Sequence, residues 1–276
     1  MPKSLKITML SDNLALPGYE GEHGFALHLE LQGKQILLDA GCDENLMLRN
    51  AQRAGLDLKQ LDYLIVSHGH YDHVGALAAL LKLAPKLQVL AHPNILKKRY
   101  SIRNGEPKDI AIPESPRLAL ENHRNTKFFR GALSLCEQVR LFNEIPRISG
   151  FEDTGGPFFC DTNGEIADPI EDETLLCIRR QRELFVFSGC SHSGIVNILW
   201  HLQKQYPDCV FKLVLGGLHL VNASQQRLQA TLRELDKLPL QNLVACHCSG
   251  EVAMRKIAEN MPAKSQFGAA GKQWEC

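Results

Sequence analysis

Apolar runs along the chain are short and are separated by clusters of Gly, Pro, Asn and Asp, a pattern that predicts many brief strands interleaved with helices. Residues 5–10 read as a first strand, closed by Ser11-Asp12-Asn13 and a loop through Pro17-Gly18. Residues 25–31 form a second, and Gln32-Gly33-Lys34 turns it into Ile36-Leu37-Leu38-Asp39. A hairpin before any helix argues against a simple doubly wound sheet. Leu46, Leu48 and Ala51, followed by Gly55, predict a helix over 45–54 with a glycine stop. Tyr63-Leu64-Ile65-Val66 is β-branched and aromatic enough for a buried strand. A helix is expected from Asp72 to just before Pro85, then a strand over 87–91 ending at His92-Pro93.

From 94 to 156 the periodicity weakens amid Pro107, Pro113, Pro116 and Pro146. The chain therefore reads as a single domain over 1–276 with 94–156 as an insertion or flap over a site. The basic run Lys97, Lys98, Arg99 and Arg103 is either a solvated face or a set of flap cations for an anionic substrate group. His123 is expected at the surface, and His92 as a strand-end residue. The second half repeats the first in outline. A hairpin over 174–178 and 183–187 runs into Ser188-Gly189-Cys190-Ser191-His192-Ser193-Gly194, followed by a helix over 195–205. A strand over 211–215 ends in Gly216-Gly217-Leu218-His219, and a helix over 223–238 is closed by Pro239. A strand over 243–245 ends at Cys246-His247-Cys248, before a last helix over 251–260. Strand, polar loop and helix recur three times with a histidine at each strand's end, which gathers ligands at one sheet edge.

The chemistry centres on Ser67-His68-Gly69-His70-Tyr71-Asp72-His73. In extended backbone, side chains two apart point the same way, so His68 and His70 can grip one ion from one side. Gly69, without a Cβ, lets the chain turn close to the ion, and the turn brings Asp72 and His73 to a second position. Imidazole and carboxylate together suit zinc, iron or manganese. Asp39, at a strand end, either orients a ligand histidine or caps a turn. Cys190, His192, His219 and His247 are the candidates to complete the sites. A thiolate from Cys190 would favour zinc. Cys246 and Cys248 are expected to point away into packing.

Composition narrows the class. With 276 residues, 44% hydrophobic and 22% charged, the chain suits a soluble globular protein with ample core. Lys plus Arg and Asp plus Glu both number 31, so no net field points to nucleic acid or an anionic membrane. No run reaches the roughly 18 apolar residues that span a bilayer, and residues 1–10 lack a signal-peptide core. Nine cysteines in a chain of this length read as reduced thiols in a cytoplasm. The expected partner is a small molecule, with oligomeric state left open.

His68-x-His70-x-Asp72-His73 after a hydrophobic strand resembles the signature of the metallo-β-lactamase superfamily, and the later histidines arrive in that superfamily's order. The strings Glu22-His23-Gly24-Phe25, Gly189-Cys190-Ser191-His192-Ser193-Gly194, Gly216-Gly217-Leu218-His219 and Cys246-His247-Cys248-Ser249-Gly250 are similar to its 7,8-dihydropterin-6-methyl-4-(β-D-ribofuranosyl)-aminobenzene-5′-phosphate synthase-like branch. The resemblance implies an αβ/βα sandwich of two mixed sheets with helices outside, and one or two divalent ions, zinc first, with iron or manganese as alternatives. His68, His70 and His192 would hold one ion. Asp72, His73 and His247 would hold the other, with Cys190 standing in for a bridging aspartate that the chain lacks. The implied activity is metal-dependent hydrolysis of a phosphate-bearing or pterin-type substrate by a metal-activated hydroxide, with Asp72 also accepting a proton. The alternative is a transferase that joins an activated dihydropterin to an arylamine ribofuranosyl phosphate. His23, His219 and the helix-start residues Ser191 and Ser193 are the expected substrate contacts, the last two through backbone N–H groups.

Overall fold

Gln32 and Gly33 both take positive φ, 56° and 77°, the two-residue turn that matches strand twist. It joins Ala26–Leu31 to Lys34–Leu38 in the hairpin the sequence predicts. The computed structural model describes residues 4–276, so the first three residues of the apolar opening 1–10 lie outside them. The chain divides into two compact units, one of Met1–Tyr100, Lys108–Phe129 and Gly268–Cys276, the other of Ser101–Pro107 and Arg130–Phe267.

In the first unit a seven-stranded sheet runs in the order Gln273–Glu275, Leu5–Ser11, Ala26–Leu31, Lys34–Leu38, Tyr63–Ile65, Gln88–Ala91, Thr126–Phe128. Pairing is antiparallel as far as Lys34–Leu38 and parallel beyond it. Helices α1 (Glu44–Arg53), α2 (Leu77–Leu83) and α3 (Glu114–Asn122) accompany it. Leu37, Leu64, Val66, Leu77, Leu80 and Val89 lie in one buried apolar cluster. Asp43 caps α1 by accepting from the Leu46 amide at 2.8 Å. α2 begins later than the expected start at Asp72. Tyr71–His73 is a single 3₁₀ turn, and the Gly75 amide donates to the Gly41 carbonyl at 2.7 Å. A Cβ on Gly75 would collide with the Cys42 carbonyl, so close backbone approach delays the helix.

The second unit repeats the plan. Its sheet runs Ser265–Phe267, Leu243–Cys246, Val210–Gly217, Glu183–Ser188, Leu175–Arg180, Val139–Phe142, Ala132–Ser134. The first four strands are parallel and the rest antiparallel. Helices α4 (Ile195–Gln205), α5 (Gln225–Lys237) and α6 (Glu251–Asn260) follow successive strands. Val186, Ile198, Leu199, Phe211, Leu235 and Ile257 anchor the core. α4 and α6 begin where the sequence predicts, each behind a glycine at positive φ, Gly194 at 91° and Gly250 at 78°.

The weakly patterned segment 94–156 is not structureless. It supplies α3 and Thr126–Phe128 to the first unit, and Ala132–Ser134 and Val139–Phe142 to the second. Its edge strands are half exposed, which blurs alternation. Within the basic run, Arg99 is fully buried and donates to the Asn94 carbonyl at 3.2 Å, unlike exposed Lys97, Lys98 and Arg103. His123 is partly buried, its Nε2 2.7 Å from the Leu87 carbonyl. Among the described residues no helix is long and apolar enough to cross a membrane.

Candidate metal centre

In the first unit the organising group is Asp39, which ends its strand in the left-handed region at φ 61° with its carboxylate fully buried. Oδ1 accepts from the Ser67 amide at 2.6 Å; Oδ2 accepts from the Ser67 hydroxyl at 2.6 Å and from His73 Nδ1 at 2.7 Å. Of the two roles open to Asp39 on sequence grounds, its contacts perform the orientation of a histidine. A carboxylate only accepts, so His73 carries its proton on Nδ1 and leaves Nε2 unprotonated. Ser67 spends its single hydrogen on Asp39, so it accepts from His68 Nδ1 at 2.9 Å, and His68 Nε2 is unprotonated too. One buried acid thereby sets the tautomer of two histidines.

His68 Nε2 lies 2.9 Å from His70 Nδ1, near the ~3.3 Å between two nitrogens on a tetrahedral zinc. The His68 and His73 rings lie 4.2 Å apart, and Asp72 Oδ2 is 3.8 Å from His73 Nε2. Four of the expected ligands thus converge within this unit. Gly69 has a different reason from the one expected: its φ is ordinary, and a Cβ would strike the Ile95 carbonyl. His23 is exposed, with Nε2 3.3 Å from Asp72 Oδ2. Its loop is pinned by Glu22, whose carboxylate accepts the amides of Cys42 at 3.0 Å and Asp43 at 2.7 Å. Lys108 sits over the Tyr71 ring, 5.0 Å from its centroid. Burial, aided by Glu22, Asp72 and Asp43 and opposed by Lys108, pushes the Cys42 thiol up to about 11, so it is no nucleophile at neutral pH.

In the second unit two trios can hold an ion: Cys190, His192 and His219, and Cys190, His247 and Cys248. Within each, the ligand atoms lie within 4.8 Å of one another. Ser191, His219 and His247 sit at φ 57°, 45° and 48°, strained conformations for non-glycine residues just past strand ends. His192 Nδ1 donates to the Thr154 carbonyl at 2.8 Å, which again leaves Nε2 unprotonated. Phe158 packs edge-on against both His192 and His219, with centroids 5.5 and 5.7 Å away. Cys248 does not point into packing as expected. Its sulfur lies 3.7 Å from the Cys190 carbonyl and faces the trio. Burial opposes its ionisation, but hydrogen bonds with Cys190 and His219 and the nearby charges of His219 and His247 outweigh it and hold the thiol well below its ordinary range.

The start of α4 differs from the expected substrate cradle. The His192 and Ser193 amides donate to Glu173, and the Val196 and Asn197 amides to Glu152. Ser191 is fully buried, its hydroxyl donating to the Gly217 carbonyl at 2.7 Å. The donors expected for a substrate anion at Ser191 and Ser193 are thus taken within the protein, the Ser191 amide by the Ser188 hydroxyl at 3.1 Å and the Ser193 amide by Glu173 at 2.7 Å. Burial pushes Glu173 and Glu152 upward, against the amides that each accepts. Sequence reasoning missed Glu152, Glu173 and Lys108, for none of which the local string carries a signal, and it turned Cys248 away from His247.

The metallo-beta-lactamase superfamily model matches residues 22–247, a span that contains both clusters. A 7,8-dihydropterin-6-methyl-4-(beta-D-ribofuranosyl)-aminobenzene-5'-phosphate synthase of Methanocaldococcus jannaschii is 28% identical, with 98% of this chain and 96% of that protein aligned. The crystal structure of Tm1679, described as a metal-dependent hydrolase of the beta-lactamase superfamily, superposes with a TM-score of 0.83 at 28% identity, covering 99% of both chains. The metallo-beta-lactamase fold protein YhfI from Bacillus subtilis, at 12% identity and a TM-score of 0.61 over 99% of this chain and 100% of its own, shares the fold.

Proposed function

The chain belongs to the metallo-beta-lactamase superfamily, and on that premise we propose that it is a metal-dependent hydrolase of an anionic, phosphate-bearing or pterin-type small molecule. The observation that carries the reading is the common tautomer of His68, His73 and His192, each with its proton placed on Nδ1 by an acceptor there and Nε2 left unprotonated. Metal-ligating histidines are oriented by a partner of this kind on the other ring nitrogen. In this reading the first unit's His68, His70, Asp72 and His73 and the second unit's Cys190, His192 and His247 are the ligands of one or two divalent ions. Zinc best suits the thiol among them. Divalent ions held there would polarise the bond to be cleaved and lower the pKa of water toward neutrality. Asp72 would accept a proton at its carboxylate. Lys108, beside Tyr71, offers the cation for an anionic group in place of the occupied amides of α4, and His23 and His219 contact the substrate.

Metal content and phosphodiester or ester turnover in wild type and His70→Ala test the proposal. Bound metal and turnover, both lost in the variant, are expected; a metal-free wild type of equal activity would remove the idea. The name of the M. jannaschii relative favours a second reading, a transferase. Incubating the protein with a pyrophosphate-activated dihydropterin and an arylamine ribofuranosyl phosphate, then seeking a condensed product by mass spectrometry, separates the two.

A further inference from the structure

We propose that Cys248 is a metal ligand, and that Cys190, His247 and Cys248 are a set of thiophilic-ion ligands that the second unit contributes. This rests on the reading above only in that Cys190 and His247 are there taken to face an ion. The three ligand atoms lie within 4.8 Å of one another. A tetrahedral zinc, at ~2.3 Å from sulfur and ~2.0 Å from nitrogen, spaces its ligands roughly 3.5 Å apart, so the trio closes on an ion with small adjustment. The backbone is committed to this placement. Gly217 leaves no room for a Cβ because the Cys248 sulfur occupies that space, with Cys190 Cα also against it. His247 is held in the left-handed region at φ 48°. The Ser249 hydroxyl accepts the Leu218 amide at 3.1 Å, tying the loop that carries Cys248 to the loop that carries His219.

A second observation points to a ligand here. His219 is nine-tenths buried, and its Nδ1 has no hydrogen-bond partner among the described residues. It belongs to the trio that shares Cys190. An imidazole nitrogen so placed costs free energy unless something fills its lone pair or takes its proton, and an ion next to Cys190 would do so. Two sulfurs with imidazole select zinc or cadmium over manganese or magnesium. Cys248 would therefore decide which metal the protein retains, a property that the histidines of the first unit do not discriminate.

Cadmium(II) is the probe, titrated into the full chain after chelator treatment. In a His68→Ala/His70→Ala variant, one cadmium is expected to remain bound with ultraviolet sulfur-to-cadmium charge-transfer absorption, and X-ray absorption should count two sulfur neighbours. Adding Cys248→Ser should remove one sulfur and weaken binding beyond the roughly 10–100-fold that loss of an outer-sphere partner costs. Cys246→Ser, which alters a buried thiol outside both trios, should keep both sulfurs. A single sulfur neighbour unaltered by Cys248→Ser, or no charge-transfer band in the histidine variant, would overturn the proposal. If Cys248→Ser does not fold, wild type decides instead: cadmium must shield Cys248 from iodoacetamide, read peptide by peptide, and unshielded alkylation counts against ligation. None of these readouts depends on turnover, so absence of hydrolysis leaves this test intact, and a failed cadmium result leaves hydrolysis standing.

Discussion

The two units share a strand plan but hold their histidines by opposite means. In the first, one side chain does the holding: Asp39 reaches Ser67 and His73 directly and His68 through Ser67. In the second, backbone does it: the Thr154 carbonyl takes His192 Nδ1, while Glu173 and Glu152 grip amides around it. Both place non-glycine residues at positive φ just beyond strand ends, Asp39 in one and Ser191, His219 and His247 in the other. Each such residue costs of order 1 kcal/mol, and the surrounding hydrogen bonds sustain it. Similar geometry is therefore reached through a mutable acid in one unit and through chain path in the other.

That contrast predicts where the first unit is most vulnerable. Asp39→Asn keeps a residue that tolerates left-handed backbone, yet it replaces one acceptor oxygen by a donor. The tautomers of His68 and His73 are no longer fixed, and metal affinity should fall roughly 10–100-fold, as measured by competition with a chromogenic chelator. Unchanged affinity would mean that the acid serves the fold alone. The counterpart in the second unit is Gly155→Ala. Gly155 has φ 88°, and an added Cβ would fall on the His219 ring. Destabilisation of about 1–3 kcal/mol is expected from the backbone conformation, with the overlap adding to it, read by urea unfolding. Equal stability would show that the loop path is not what positions His219.

The units also differ in the sign of their pH response. Glu20 in the first unit is held down to about 2, chiefly by hydrogen bonds from Arg49 and Arg53. Between about 2 and 4.5 the unfolded chain binds more protons there, so stability rises with pH across that window. Glu173 and Glu152 in the second unit are raised above 4.5, mainly by burial. There the folded chain binds more protons, so stability falls as pH climbs from 4.5 through their raised values. Thermal melts of wild type, Glu20→Gln and Glu173→Gln from pH 2 to 8 should show the rising limb flattened in the first variant and the falling limb in the second. The reverse assignment would contradict the environments described for them.

How much of this was legible beforehand follows from distance along the chain. The Gln32-Gly33 turn, the glycine-led starts of α4 and α6, and the His68 to His73 string are local, and each lies where its pattern predicts. Partners far apart in sequence were not legible. Asp39 meets His73 34 residues on, Glu152 meets Asn197 45 residues on, and Cys248 meets Cys190 58 residues back. The late start of α2 belongs to the same class, because only the fold brings the Cys42 carbonyl against Gly75. Arg99 and Arg227 are buried although a basic residue reads as solvated; Arg227 on α5 pairs with Asp153, next to the carbonyl that holds His192.

Cysteine offers the finest test of the contrast, because the environment of each thiol reports which charges surround it. Cys42 in the first unit faces Glu22, Asp72 and Asp43, and with burial they push its thiol up to about 11. A free thiol in water, of pKa near 8.5, is about one quarter thiolate at pH 8. At that pH Cys42 has on the order of one thiolate per thousand molecules. Alkylation of chelator-treated protein with iodoacetamide, followed by peptide mass spectrometry, should therefore label Cys42 on the order of 100-fold more slowly than a short unstructured cysteine peptide added as reference. Raising the pH toward 11 should close most of that gap, since thiolate fraction rather than access is the limiting factor for a half-buried sulfur. If Cys42 instead reacts as fast as the reference peptide at pH 8, burial and the carboxylates of Glu22, Asp72 and Asp43 do not hold its thiol up.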